Sequence, residues 1–295
     1  YVYYFRDKDD NAAWIPFKLS LDSIIEPTIP TNIISPISMD ISLMEMFAGA
    51  AAAGKYDFDS LMISFRCVAS DVEAKKSVVF TKGDLSEAVR ASLSYPFYLK
   101  PISVNGKLLF DGGLYNNFPS DIMYSCFYPD LIIGSNVTSN APPPDEDNIL
   151  SQIRSMLVSK TNYDVICENG VIIEPKTDVA LFDFDDPQIL IDSGYAAAMR
   201  QMPKIKEMVT RRLSTEELTK KRSSFIGKQP KLMFDNVNIA GLNARQSNYV
   251  KKVLQHKNKV IGMEKFKPEY FRLAADDRIK HIYPAAKYNA NGYYD

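Results

Sequence analysis

The chain has 295 residues, 46% hydrophobic and 24% charged, which is the composition of a core-forming globular protein of about two domains. Its net charge is -1, and its lysine clusters (Lys220-Lys221-Arg222, Lys251-Lys252) are local, so no nucleic-acid partner is expected. Three separated cysteines (Cys67, Cys126, Cys167) and two histidines (His256, His281) give neither a disulfide framework nor metal-ligand spacing, so no metal and no cofactor is expected.

The start is aromatic, Tyr1 to Arg6, and reads as the middle of a strand rather than a signal peptide. The first residue is therefore expected to be a cut through a larger protein. A polar turn at Asp7 to Asn11 and a proline-punctuated segment, EPTIPTNIISPIS, come next. A helix is predicted from Met39 to Ala53, ended by Gly54. It overlaps MEMFAGAAAAGKYDF, the longest apolar-looking stretch, which is too short and too charged at its flanks to span a bilayer.

From Leu61, LMISFRCVASD and SVVFTKG read as two strands. DLSEAVRASLS carries a helix start, with Asp84 as cap, Glu87 three residues on, and Leu85, Ala88, Val89 and Leu93 at helical spacing. Tyr95-Pro96 breaks it. Strands around PISV and KLLF are joined by Asn105-Gly106, a strong signal for a two-residue hairpin.

Downstream, a helix from Pro119 to Phe127 precedes PDLIIGSNVT, an apolar run fit for a buried strand. SNAPPPDEDN is a loop by composition, ILSQIRSMLVSK is helical, and GVIIEP is another buried strand. A long helical pattern runs from Pro187 to Leu213, capped by Asp186. Strands alternating with helices predict an α/β domain with a mostly parallel sheet. Residues 214–230 are polar and read as helix tail and linker. Residues 231–295 then give an alternating strand (Leu232 to Ala240), a Gly-Leu-Asn turn, two amphipathic helices and a strand start near Ala286 to Tyr294.

One motif concentrates the chemistry. KLLFDGGLYNNFPSD places Asp111 at the end of a strand, before Gly112 and Gly113. Glycines there can supply positive φ in a tight turn, with the aspartate bonding its own turn. Alternatively, they let the backbone pass close to another group while the acid points into a pocket, since α/β sites lie at the carboxyl ends of strands.

The wider context resembles the C-terminal half of the patatin-like phospholipase domain. The matching positions, in order, are Ala69-Ser70-Asp71, Arg90-Ala91-Ser92 with Pro96, Asp111-Gly112-Gly113, Asn116-Asn117 and Pro119. The resemblance implies a three-layer α/β sandwich, here lacking its N-terminal strands, over residues 1–213. It also implies hydrolysis of lipid esters by a Ser-Asp dyad, with Asp111 as the dyad aspartate. The serine of such enzymes sits in a G-x-S-x-G elbow. No two glycines in this chain are four residues apart, so no such elbow is present. The chain is therefore expected to be inactive as it stands. Because no histidine precedes His256, a Ser-His-Asp triad in the α/β domain is excluded. Ser92 and Ser94 are assigned to packing or local hydrogen bonds, Asp71 to a turn or cap, and Asp121 to the surface of the following helix.

Residues 231–295 resemble a POTRA domain, a small β-α-α-β-β module that precedes outer-membrane β-barrels. Phe234, Val237, Ile239, Gly241, Tyr249, Val250 and Ile279 occupy its apolar or turn positions, and its last strand is incomplete. A generic α+β appendage is the alternative. The resemblance implies partner binding by strand addition, a barrel outside this chain, and a place in the bacterial cell envelope, at the outer membrane. The competing functional reading is a non-catalytic patatin-like scaffold that presents the POTRA-like module for protein interaction.

Overall fold

The computed structural model describes residues 32–179, 183, 185–255, 259–276, 278–279 and 281–295. The strand expected at Tyr1 to Arg6, the polar turn at Asp7 to Asn11, the first part of the proline-punctuated segment and His256 lie outside them. The described chain forms two compact units. One joins the residues up to Gly112 with Thr219–Asp295; the other is Gly113–Leu218.

The first unit begins with helix α1 (Ile37–Ala53), closed by the amide of Gly54 donating to the carbonyl of Ala50. Strands β1 (Cys67–Asp71) and β2 (Lys76–Phe80) follow as an antiparallel hairpin. Of the predicted run from Leu61, only the part from Cys67 is strand. Helix α2 (Leu85–Ser92) starts at Asp84, whose Oδ1 accepts from the amides of Ser86 at 2.8 Å and Glu87 at 3.3 Å. β3 (Ile102–Val104) and β4 (Lys107–Asp111) form the second hairpin, and Asn105 and Gly106 turn with φ of 51° and 78°.

These strands make one four-stranded sheet, ordered β2-β1-β4-β3, in which every pair is antiparallel. This corrects the expectation of a mostly parallel sheet. Four of its strands come as two tight hairpins, and a short turn can only reverse the chain. α2 packs against β1, β3 and β4, and α1 packs against α2. The residues at these contacts are small, with Ala51, Ala69, Ala88 and Ala91 at most 2% exposed, so the backbones approach closely.

The second unit holds α3 (Ser120–Phe127), β5 (Ile132–Ser135), α4 (Ile149–Leu157), β6 (Gly170–Ile173) and α5 (Pro187–Met208). β5 and β6 are parallel, as a crossover containing α4 requires. Asp186 caps α5 as predicted, accepting from the Gln188 amide at 3.1 Å, but the helix stops at Met208 rather than Leu213.

Residues 214–230 hold a helix of their own, α6 (Thr215–Ile226). Ser214 and Glu217 cap it reciprocally: the serine hydroxyl accepts from the Glu217 amide at 3.1 Å and the glutamate from the Ser214 amide at 2.9 Å. The chain continues, within the first unit, through β7 (Met233–Phe234), α7 (Ala244–Gln255), β8 (Ile261–Gly262) and α8 (Met263–Ala274). The strand expected over Leu232 to Ala240 is thus only two residues long. Near the end, Tyr294 bridges in parallel to Phe234 and antiparallel to Tyr288.

The composition break at 214–230 divides the sequence, whereas the compact units divide elsewhere. The reason is α1. Its Ile41, Met44 and Ala48 enter one core with Phe234, Val250, Leu254, Phe266, Tyr270 and Tyr294. Phe234 and Phe266 stack there with ring centroids 4.9 Å apart. Each large side chain so buried contributes roughly 1.5–3 kcal/mol. Among the described residues, no helix is long and apolar enough to cross a membrane.

Candidate active site

β4 ends at Asp111, opposite Ala69 of β1. The half-buried aspartate is fixed through its backbone, its amide donating to the carbonyl of Ser94 at 3.0 Å. Gly112 then passes directly against β1. A Cβ built on it would lie 2.4 Å from the carbonyl oxygen of Val68 and 2.9 Å from the carbonyl carbon. Its φ is not in the left-handed region. The first glycine is therefore needed for close backbone approach and not for positive φ. With Gly113 and Leu114 it forms one turn of 3-10 helix, and the Gly112 carbonyl accepts from the Ser70 hydroxyl at 3.4 Å.

The two serines joined to this turn are not nucleophiles. Ser70 and Ser94 are both 0% exposed, and each hydroxyl is engaged. Ser94 Oγ donates to the Arg90 carbonyl at 2.8 Å and accepts from Arg90 Nη1 at 2.5 Å. The local hydrogen-bond role assigned to Ser94 matches this geometry. Ser92 lies beside Cys67, whose thiol is pushed up by burial, with a smaller opposing pull from the Ser92 hydroxyl. Asp71 accepts from the Ala74 amide at 2.9 Å and so holds the β1–β2 turn.

Arg90 is the residue whose role the sequence did not reveal. It is 1% exposed, and its guanidinium is held at all three nitrogens. Its Nε pairs with Asp40 of α1 at 2.5 Å, Nη1 holds Ser94, and Nη2 donates to the Lys100 carbonyl at 2.7 Å. The guanidinium thus ties α1, the end of α2 and the segment entering β3 into one network. Through Ser94, that network reaches the Asp111 backbone. Burial raises the Asp40 pKa, and Arg90 pulls it partly back. The signal that could have found the pair is a charge on a buried stripe: Asp40 shares a helical face with Met44, Ala48 and Ala51.

Within the second unit, the rest of the motif builds the start of α3. Asn116 Nδ2 donates to Asp121 Oδ1 at 3.0 Å, and Asp121 is exposed, as expected. Phe118 is buried against Gly134 of β5, where a Cβ would meet the ring at 2.4 Å. Pro119 precedes Ser120, whose hydroxyl donates to the Asp164 carbonyl at 2.8 Å. Among the described residues, no three His, Cys, Asp or Glu side chains converge as metal ligands would.

What this arrangement offers chemically is a carboxyl at a strand end, held by its backbone beside a turn that tolerates no side chain. Residues 51–124, which span both halves of the motif, match the family model described as patatin-like phospholipase. An NTE family protein of Mycobacterium tuberculosis is 30% identical over 124 residues, covering 40% of this chain and 34% of the relative. A second one from the same organism is 25% identical over 219 residues, 64% of this chain and 36% of the relative. A patatin-like phospholipase domain-containing protein of Caenorhabditis elegans is 39% identical over 67 residues, 22% of this chain and 5% of the relative. The chain spans about a third of the length of the mycobacterial relatives it matches.

Proposed function

We propose that this chain, which carries patatin-like phospholipase sequence over residues 51–124, is part of a lipid acyl hydrolase in which Asp111 is the base of a Ser-Asp dyad. The family match supports lipid ester hydrolysis as the kind of reaction. The observation that carries the finer reading is the seating of Asp111: its amide is fixed to Ser94, and Gly112 lies where no side chain fits. A general base must be held within hydrogen-bond reach of the proton it takes, and a rigid backbone achieves that before substrate arrives.

The serine of the dyad is proposed to come from a G-x-S-x-G elbow in the whole protein, outside these 295 residues. In the acylation step, the Asp111 carboxylate takes the serine proton as Oγ attacks the ester carbonyl. The tetrahedral intermediate collapses, the C–O bond to the alcohol breaks, and Asp111 returns the proton to the leaving alkoxide. In the second step, Asp111 deprotonates a water that attacks the acyl-serine, which releases the fatty acid and returns the proton to the serine.

In the same reading, residues 1–213 form the partial hydrolase domain, 214–230 the linker and 231–295 a POTRA-like module. β7 followed by two helices, α7 and α8, with the two-residue β8 between them, and the pairing of Tyr294 with Phe234 and Tyr288 are what support the module. In this reading the module binds partners by strand addition, and the whole protein is proposed to lie at a bacterial outer membrane, tethered through a barrel outside this chain. The chain alone is expected to give no turnover of a short-chain ester. Serine-dependent hydrolysis by it would overturn the dyad assignment.

A further inference from the structure

The C-terminal part of α6 and the segment after it, residues 219–231, concentrate charge of one sign. Five of these 13 residues are basic, Lys220, Lys221, Arg222, Lys228 and Lys231, and none is acidic. The segment therefore carries +5 in a chain whose net charge is -1. All five side chains are exposed. Among the described residues, none of the five makes an ion pair or a side-chain hydrogen bond. The acids nearest in sequence, Glu216 and Glu217, lie in the first turn of α6, and Glu217 is engaged in the cap with Ser214.

The patch is nevertheless seated on the folded surface. Gln229 and Pro230 are half-buried, and a Cβ built on Gly49 of α1 would lie 3.3 Å from Gln229 Oε1 and 3.7 Å from the Pro230 carbonyl oxygen. α6 itself buries no residue, so packing does not explain its basic side chains. Ile226 stands among them and is 63% exposed. Exposed cations beside an exposed apolar side chain suit the surface of an anionic bilayer. There the cations meet lipid phosphates and the apolar side chain enters the boundary between headgroups and acyl chains.

We propose that residues 219–231 are a docking surface for an anionic lipid bilayer. Lys220, Lys221, Arg222, Lys228 and Lys231 lie against the headgroup phosphates, and Ile226 dips into the interface. The choice of a lipid surface over a nucleic acid rests on the lipid-hydrolase kind of the family matched over residues 51–124. Attachment goes beyond the acyl hydrolase reading and involves neither Asp111 nor a nucleophile. Vesicle binding is read without turnover, so its failure and the failure of that reading are separate events.

The test is co-sedimentation of the full 295-residue chain with vesicles of phosphatidylcholine alone and of an equal mixture with phosphatidylglycerol. The chain should bind the mixed vesicles saturably and the neutral ones at least about tenfold more weakly. Raising salt from about 0.1 M to about 1 M shortens the screening length from roughly 10 Å to 3 Å and should release it. The triple variant Lys220→Gln, Lys221→Gln, Arg222→Gln should also bind the mixed vesicles at least about tenfold more weakly. Glutamine keeps the helix propensity and no buried contact is lost, so circular dichroism of this variant should match the parent. A control that removes the same charge elsewhere, Lys75→Gln, Lys76→Gln, Lys82→Gln, should bind within about threefold of the parent, since screening confines attraction to nearby charges. Equal binding to neutral vesicles would overturn the proposal, as would none to the mixed ones. So would a Lys220/Lys221/Arg222 variant that binds like the parent, a control that loses as much, or a chain that binds a DNA duplex and not the vesicles.

Discussion

The amide of Asp111 donates to the carbonyl of Ser94 at 3.0 Å, and the hydroxyl of that same serine is held by Arg90. The orientation of an acid at the end of β4 therefore depends on a buried ion pair between two helices. Arg90 reaches Asp40 fifty positions away in the sequence, and a change at either residue should be felt as stability first.

Removing one partner of a buried pair leaves the other charge unpaired, at a cost of roughly 3–5 kcal/mol. Arg90→Ala should lose about that much in urea denaturation, since it also releases Ser94 and the Lys100 carbonyl. Asp40→Asn keeps a hydrogen-bond acceptor and should lose less. Equal, small losses below about 1 kcal/mol would place the pair among weak surface contacts instead.

Two glycines should respond to alanine in opposite directions. Gly112→Ala puts a Cβ 2.4 Å from the Val68 carbonyl oxygen, so the β1–β4 contact must open; roughly 1–3 kcal/mol of stability should be lost. Gly194 lies inside α5 with nothing within 4 Å of its Cβ position. There alanine should add roughly 0.5–1 kcal/mol by lowering the entropy lost on folding. Thermal melts of the two variants against the parent chain read both signs.

The thiols should separate by reactivity. Cys126 is exposed, whereas Cys67 is buried and its pKa is raised, so at neutral pH it stays protonated and shielded. Iodoacetamide on the native chain should label Cys126 rapidly and Cys67 only after unfolding, as read by peptide mass spectrometry. Rapid labelling of Cys67 in the native state would contradict the packing of β1 against α2.

Glu87 predicts a pH dependence. Its pKa is raised from an ordinary value of 4.5, first by burial and then by Asp84. Folding thus favours the protonated acid: that contribution is complete below the unfolded pKa and is lost as pH rises through the folded one. Glu87→Gln carries no such loss, so its stability relative to the parent should improve as pH rises from below 4.5 toward neutral. A difference between the two that does not change with pH would show that the carboxyl is not perturbed.

The parts legible in the sequence are those governed by neighbours in the chain. Asp84 and Asp186 cap their helices, Asn105-Gly106 turns its hairpin, and Gly54 closes α1, because each acts within a few residues of itself. The Ser214/Glu217 capping box was equally local but sits in a segment whose polarity reads as linker. The Asp40–Arg90 pair and the entry of Ile41, Met44 and Ala48 into a core built with α7 and α8 are different. Such contacts leave only a stripe or a stray charge in the sequence, and nothing there names the partner. Strand direction failed for a related reason: alternation of strands and helices was read at long range, while two short turns decided the sheet.

The central claim is that Asp111 is the base of a hydrolytic dyad. It is tested most directly by ester hydrolysis in a longer protein that joins this chain to the proposed G-x-S-x-G elbow, with Asp111 intact and as Asp111→Asn, which preserves shape and removes the base. The account predicts a fall in kcat of roughly 10²–10⁴ with KM little changed. An Asp111→Asn enzyme that keeps kcat within about threefold, a barrier change well under the 1.36 kcal/mol of one tenfold step, would contradict it.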